Sequence, residues 1–280
     1  MLQPIWQLFT FRTSSLIMHV FPDHLRPSVC IDAVFENQSI ADAVAGVAEA
    51  GMGAFEFWGW WDRDLDEILA ARDRHGMQIS ACCTKFVSLV DPSTRDEYLD
   101  GLQQSIAAAQ RLDCPTLISQ VGDAIPGVDR PLQRECLIDG LRAASALLDG
   151  SGVTLVIEPL NDRIDHPGYF LVQSDEAFEV VDAVDHEQIK VVFDIYHQQI
   201  SEGHVIRRAI DGLKSIKHFH AAGNPGRHQL DVGELNYPNI FRELSAAGYQ
   251  GYVGLEYWPT DDPVKTLKDV ASWFKNGWVR

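Results

Sequence analysis

Eight short, largely apolar runs, several rich in Val, Ile and Phe, recur along the chain, at residues 29–33, 54–58, 78–83, 116–120, 154–158, 190–194, 216–220 and 252–256. Each is followed by a longer amphipathic segment. Short runs that are apolar on both faces are the pattern of strands in a parallel sheet covered by helices. The intervening segments carry helix start and stop signals. Ser39 precedes a helical pattern through Ala50 that ends at Gly51, residues 64–75 end at Gly76, and residues 237–247 end at Gly248. A capping side chain satisfies free N–H groups at a helix start, and glycine accepts the left-handed conformation that closes the last turn. Further helices are expected over 93–112, 131–148, 174–184 with Ser174 as its cap, 201–211 and 263–274. Eight strand–helix units in about 250 residues predict one α/β domain, a closed (β/α)8 TIM barrel. The alternative, a doubly wound open sheet, places a glycine-rich phosphate loop after its first strand. The segment VCIDAVFENQS contains no such loop.

No Pro/Gly/Ser-rich linker or charge break divides the 280 residues, so residues 28–280 read as a single barrel. Residues 1–27 read as a poorly ordered extension or an overlong start, with Met18 as an alternative initiator. That stretch has no basic beginning and Arg12 interrupts its apolar run, so it fits a secretory signal poorly. No run is long enough to span a membrane, and a cytoplasmic location is the expectation. The chain carries 40 acidic against 23 basic residues, a formal net charge of −17. Such a surface repels phosphate backbones and anionic lipid, so neither nucleic acid nor membrane is an expected partner. Most of these carboxylates are expected on solvated helix faces. The five cysteines, Cys30, Cys82, Cys83, Cys114 and Cys136, have no metal-binding or disulfide spacing and read as reduced thiols.

In a (β/α)8 barrel, chemistry lies at the C-terminal ends of the strands. Four consecutive runs end there in a metal-competent side chain: Glu158 in LVIEPLND, Asp194 in VVFDIYH, His220 in IKHFHAAG and Glu256 in VGLEYWP. One acid at a strand end is commonly a helix cap; four on adjacent strands are much harder to explain so. Converged carboxylates repel one another unless a cation joins them. Three carboxylates and one imidazole suit one hard divalent ion, Mn or Mg first, with Co and Zn as alternatives. His197, on the loop leaving the sixth strand, can donate a hydrogen bond to a substrate oxygen. Arg227, in AAGNPGRHQLD, can grip a carboxylate or phosphate. Lys85, Gln120 and Trp58 are candidate substrate contacts on the same rim, and Trp60 and Trp61 are candidates for an apolar wall. His218, two residues before His220, points the same way but deeper, as a core or supporting histidine. Glu56 reads as a satisfied buried acid, and His166 shows no constellation.

The segments IEPLND, FDIYHQQ, HFHAAGNPGRHQLDVGELNYPNIF and GLEYWP resemble the hydroxypyruvate isomerase branch of the xylose isomerase-like barrels. The resemblance runs from about Val29 to the C-terminus and is strongest in NPGRH and GELNYP. It implies Glu158, Asp194, His220 and Glu256 as metal ligands, Glu158 and Glu256 also as proton carriers, and His197 and Arg227 as substrate contacts. Two places depart from the hydroxypyruvate enzymes. They often carry Gln where this chain has His220, whereas ketose 3-epimerases of the superfamily have His there, and CCTKFVSLVDP around Lys85 has no match among the hydroxypyruvate enzymes. The implied activity is metal-dependent isomerisation of a small hydroxy-carbonyl compound, such as hydroxypyruvate, through an enediolate. Ketose 3-epimerisation, a lyase or dehydratase reaction on the same barrel, and a non-catalytic sugar-binding barrel are the alternatives. Relatives of this kind imply a homo-oligomer.

Overall fold

A computed structural model describes residues 25–275. Eight parallel strands, β1 Arg26–Cys30, β2 Ala54–Phe57, β3 Gln78–Cys83, β4 Thr116–Ser119, β5 Thr154–Ile157, β6 Ile189–Asp194, β7 Ile216–Ala221 and β8 Tyr252–Leu255, close in sequence order into a barrel. Strand β8 pairs back onto β1 from Arg26↔Tyr252 to Val29↔Leu255. The outer layer comprises α1 Ile31–Val34, α2 Ile40–Glu49, α3 Leu65–His75, α4 Arg95–Leu112, α5 Arg130–Leu148, α6 Ser174–Val184, α7 Ile195–Ser201, α8 Val205–Asp211, α9 Tyr237–Ala246 and α10 Pro263–Lys275.

The caps follow the expected chemistry at several ends. Ser39 accepts the N–H of Asp42 at the start of α2, and Asp64 accepts that of Asp66 at the start of α3. Gly76 closes α3 in the left-handed conformation at φ 61°. Three local expectations are corrected. The first strand lies at 26–30, not 29–33, because pairing with β8 engages Arg26 and Pro27, and Ile31 already starts α1. Residues 1–24 of the expected extension lie outside the described residues. Ser174 is the first residue of α6 rather than its cap; its hydroxyl bonds the Glu202 carboxylate. The helix expected over 201–211 is split, since Gly203 and His204 both take positive φ and separate α7 from α8.

The main core lies between the barrel and its helices. Phe193 and Phe219, both fully buried, pack at 5.8 Å between ring centres, and Phe178 of α6 stacks on Phe193. Burial of each such ring contributes roughly 2 kcal/mol. Inside the barrel, Ala81, Cys83, Ile118, Val156 and Val192 form an apolar cluster with Trp58 against it. The other side of the barrel interior is polar. Ser28 and Ser80 share a 2.6 Å hydrogen bond, and Ser80 donates to Glu56 at 2.9 Å. This polar half supports the site above it. Among the described residues no helix is long and apolar enough to cross a membrane. The cysteines are free; all are buried except Cys136, which is half-buried.

Candidate active site and metal centre

The register of β6, β7 and β8 sets the side chains in place. Asp194 pairs with His220 across β6 and β7, and His220 pairs with Gly254, two residues before Glu256. Ligand atoms of Glu158, Asp194, His220 and Glu256 consequently lie within 4.8 Å of one another, all buried. His220 Nδ1 is 3.1 Å from Glu158 Oε1 and 3.5 Å from Glu256 Oε2. Its other nitrogen, Nε2, faces Glu56 Oε1 at 3.0 Å, at an angle outside hydrogen bonding. Glu56 Oε2 accepts from His218 Nε2 at 2.9 Å. Glu56 and His218 thus lie directly beneath His220, with the Glu56 carboxylate facing Nε2 electrostatically and Nδ1 turned to the quartet.

Glycine 254 makes this approach feasible. A Cβ there would stand 2.1 Å from Glu56 Oε1 and 2.7 Å from His220 Cδ2. Gly254→Ala is expected to displace the Glu56–His220 pair and cost about 1–3 kcal/mol, the usual range for overpacking a core. Thermal melts would read this as a lowered Tm. An unchanged Tm with unchanged metal affinity would contradict it.

Neighbouring loops fix the remaining groups. The Trp58 backbone N–H donates to Asp32 Oδ2 at 2.7 Å, and its indole Nε1 donates to Glu256 Oε1 at 2.7 Å. Tyr169 donates to the Glu158 carbonyl at 3.0 Å while accepting from the Val121 N–H. Asp194 Oδ1 accepts the N–H groups of Tyr196 and His197 and so caps α7, leaving Oδ2 toward the site. His197 is thus a fully buried helical residue, not the loop histidine the sequence suggests. Arg227 Nη2 donates to Glu256 Oε2 at 2.6 Å and lies 3.8 Å from Asp194 Oδ2. Its guanidinium sits over the rings of Tyr196 and Trp258, at 5.3 and 5.1 Å. The Arg227 carbonyl accepts the Trp258 N–H, which ties the loop after β7 to the loop after β8.

Charge is unbalanced here. Burial pushes Asp194 up and, although Arg227 and His220 oppose it, with Glu158 and Glu256 reinforcing it the carboxyl rises to about 7. Burial also raises Glu256, but Arg227, His220 and the Trp58 indole outweigh it and hold that carboxyl below its ordinary range. Burial lowers His220, yet Glu256, Glu56 and Glu158 drive it well above the usual imidazole value. Burial, with Arg227 nearby, keeps His197 well below that value. Asp194 and His220 are thus the two groups of the quartet whose protonated forms the surroundings favour. The donor set, three carboxylate groups and one imidazole nitrogen, fits a hard divalent ion.

The cavity above the quartet has a volume of about 260 Å³. Glu158, His197, His220, Arg227, Glu256, Gln120 and Trp58 all line it. Lys85 does not; its Nζ turns to Gln104 Oε1 at 2.6 Å, and the next residue, Phe86, lines the cavity instead. Trp60 and Trp61 stand behind the lining, Trp60 bonded to Ser105 and Trp61 edge-on to Phe86. The sequence reading missed His166, whose ring lies 5.3 Å from that of His197, and Trp258, two residues past Glu256 on the same side. It also missed Asn161, which holds His197 and sits three residues beyond Glu158 at the rim. For Asn161 and Trp258 the position just past a ligand-bearing strand end was the available signal; His166 lies eight residues beyond Glu158 and carried none.

Fold and site together define a (β/α)8 barrel with a buried carboxylate–histidine quartet at its C-terminal mouth. The family described as xylose isomerase-like TIM barrel matches residues 44–277, and the chain belongs to it. A putative hydroxypyruvate isomerase from Danio rerio is 32% identical over 244 residues, covering 82% of this chain and 87% of that protein. A 2-oxo-tetronate isomerase from Cupriavidus necator is 29% identical over 238 residues, covering 82% and 91%. Among solved structures, an AP endonuclease of family 2 from Brucella melitensis superposes with a TM-score of 0.85 at 31% identity, covering 89% of this chain and 99% of that one.

Proposed function

We propose that this chain is a divalent-metal-dependent isomerase of a small hydroxy-carbonyl compound, hydroxypyruvate or a related short keto acid or sugar, acting through an enediolate. The convergence of Glu158, Asp194, His220 and Glu256 within 4.8 Å, on the wall of a small cavity, carries this reading. The isomerase names of the Danio and Cupriavidus relatives support it. A bound divalent ion, Mn or Mg first, would polarise adjacent hydroxyl and carbonyl oxygens and acidify the C–H between them. One of Glu158 and Glu256 takes that proton; the other delivers or collects one from the opposite face. His197 donates from Nε2 to a substrate oxygen, and Arg227 anchors a carboxylate beside the Trp58 and Trp258 wall. Return of the proton to the neighbouring carbon, with the hydroxyl proton passing to the former carbonyl oxygen, completes isomerisation; return to the same carbon from the other face would be 3-epimerisation.

The name of the Brucella protein raises a nuclease reading. The formal net charge of −17 weighs against it, since duplex binding is driven by cationic contacts to phosphates. A test of the proposal incubates Mn-loaded and chelated protein in D₂O with hydroxypyruvate and a panel of ketoses, followed by NMR. Metal-dependent deuterium next to the carbonyl, with isomer formed, is the expected result. Cleavage or dehydration products would indicate a lyase, and tight binding without exchange a sugar-binding barrel; either would overturn the proposal.

A further inference from the structure

The carboxamide of Asn161 is completely buried, and all four of its hydrogen-bonding positions are specified. Its Oδ1 accepts the backbone N–H groups of Ile164 at 3.0 Å and Asp165 at 3.2 Å, so the amide cannot be turned over without losing both. The opposite end, Nδ2, is therefore the NH₂ group. One of its N–H bonds goes to Asp165 Oδ2 at 2.7 Å, a carboxylate that Tyr196 also contacts through its hydroxyl at 3.1 Å. The second meets His197 Nδ1 at 2.6 Å. The Asn161 backbone N–H approaches the same nitrogen at 3.3 Å. Two N–H donors converge on one ring nitrogen, and a nitrogen facing two donors must offer its lone pair. The imidazole proton then resides on Nε2, which is buried, has no hydrogen-bond partner, and belongs to a side chain that lines the cavity beside Asp194.

We propose that Asn161 is a positioning residue that fixes the tautomer of His197, so that the imidazole always presents an Nε2–H donor to the substrate. A ring free to exchange tautomers would spend part of its time with a lone pair facing the substrate oxygen, and would repel it. The fixed donor also removes His197 from the set of bases and leaves carbon deprotonation to the glutamates. The order Tyr196–Asp165–Asn161–His197 follows a general design in which each group orients the next and the last meets the substrate. The tautomer assignment stands on this geometry alone; its consequence for turnover rests on the isomerase reading above.

Nitrogen-15 NMR of histidine-labelled protein, with the His197 signals identified by their loss in His197→Gln, tests the assignment without any substrate. The expected spectrum has Nδ1 in the unprotonated and Nε2 in the protonated range; the reverse would overturn the proposal. Asn161→Asp replaces the donor by an acceptor and should move Nδ1 into the protonated range. The backbone N–H of residue 161 remains in both variants, so retention of the wild-type pattern in Asn161→Asp, or in Asn161→Leu should the first not fold, would show that the Asn161 carboxamide does not set the tautomer and would overturn the proposal. In turnover, Asn161→Leu should lower kcat by about tenfold or more, by loss of an oriented donor, with KM little changed. The same change in a His197→Gln background, where no tautomer exists, should cost little more. Equal losses in both backgrounds would reduce Asn161 to a structural role. If wild-type protein turns over no hydroxy-carbonyl compound while the NMR pattern holds, the isomerase reading fails and the tautomer assignment survives.

Discussion

Glu158→Gln and Glu256→Gln should each lower kcat by about two to four orders of magnitude, the range associated with loss of a positioned acid or base. Gln keeps the volume and most hydrogen-bonding directions of Glu, so the barrel should stay folded. At position 256 the amide oxygen can still accept from the Trp58 indole, which now meets Oε1 at 2.7 Å. Arg227 loses the charge it holds at 2.6 Å, and a buried cation without its partner costs stability. The two variants should differ in an informative way. Whichever glutamate removes the carbon-bound proton, its loss should abolish deuterium exchange as well as product formation. Loss of the other should leave exchange at the first carbon while product still fails to form. Both carboxylates are also proposed ligands, so each variant must be assayed at saturating Mn, with metal content measured. Recovery of full activity at high Mn would show that the residue only holds the ion. Full activity in both variants without added metal would end the two-glutamate scheme.

The barrel and the four converging residues were legible because both depend on periodicity. A short apolar run followed by an amphipathic segment, repeated eight times, leaves little besides a closed barrel. In a closed barrel of parallel strands the C-terminal strand ends gather at one mouth. Asp194 ends β6, His220 stands one residue inside the end of β7, and Glu158 and Glu256 directly follow β5 and β8; the registers Asp194↔His220 and His220↔Gly254 bring them level. Loop residues obey no such period. Lys85 and Phe86 are neighbours just beyond β3, and whether the amine or the ring enters the cavity depends on Gln104 of α4, nineteen positions away. His197 seemed a loop residue because nothing local marks α7 as a helix; Asp194 starts it by accepting two backbone N–H groups. The same carboxylate is thus a helix cap through Oδ1 and a candidate ligand through Oδ2. The choice between those two roles, which the sequence pattern posed as alternatives, is not a choice in the folded chain. Gly254 is a further case. A glycine in a strand reads as a weakness, and only the 2.1 Å approach of Glu56 to its missing Cβ gives it a purpose.

Metal affinity should rise steeply with pH, with a change of slope near pH 7. A divalent ion needs Asp194 ionised and His220 neutral at Nδ1, and the surroundings raise the proton affinity of both. Burial, with Glu158 and Glu256 close by, raises Asp194 to about 7, and the surrounding carboxylates overcome burial to keep His220 well above its ordinary value. Below pH 7 binding therefore displaces two protons, and each unit of acidification should weaken affinity about a hundredfold. Between pH 7 and the raised value of His220 one proton is displaced, and the dependence should fall to about tenfold per unit. The sign for stability follows from the same shifts. Both groups have folded values above their unfolded ones. The stability Asp194 contributes is complete below its ordinary value of 3.8 and is lost as pH rises through about 7. That of His220 is complete below 6.5 and is lost as pH climbs toward its raised value. Metal-free protein should therefore melt at lower temperature as pH increases through neutrality, and saturating Mn should flatten or reverse that trend, since the ion replaces the departing protons as counter-charge. Calorimetric titration in two buffers of different ionisation enthalpy counts the protons released, and melting curves across the same pH range read the stability. Release of two protons at pH 6 and one at pH 8 is the expected count. An affinity independent of pH would mean that the quartet is already ionised and neutral at the right atoms, and that the imbalance of charge is relieved by some other group.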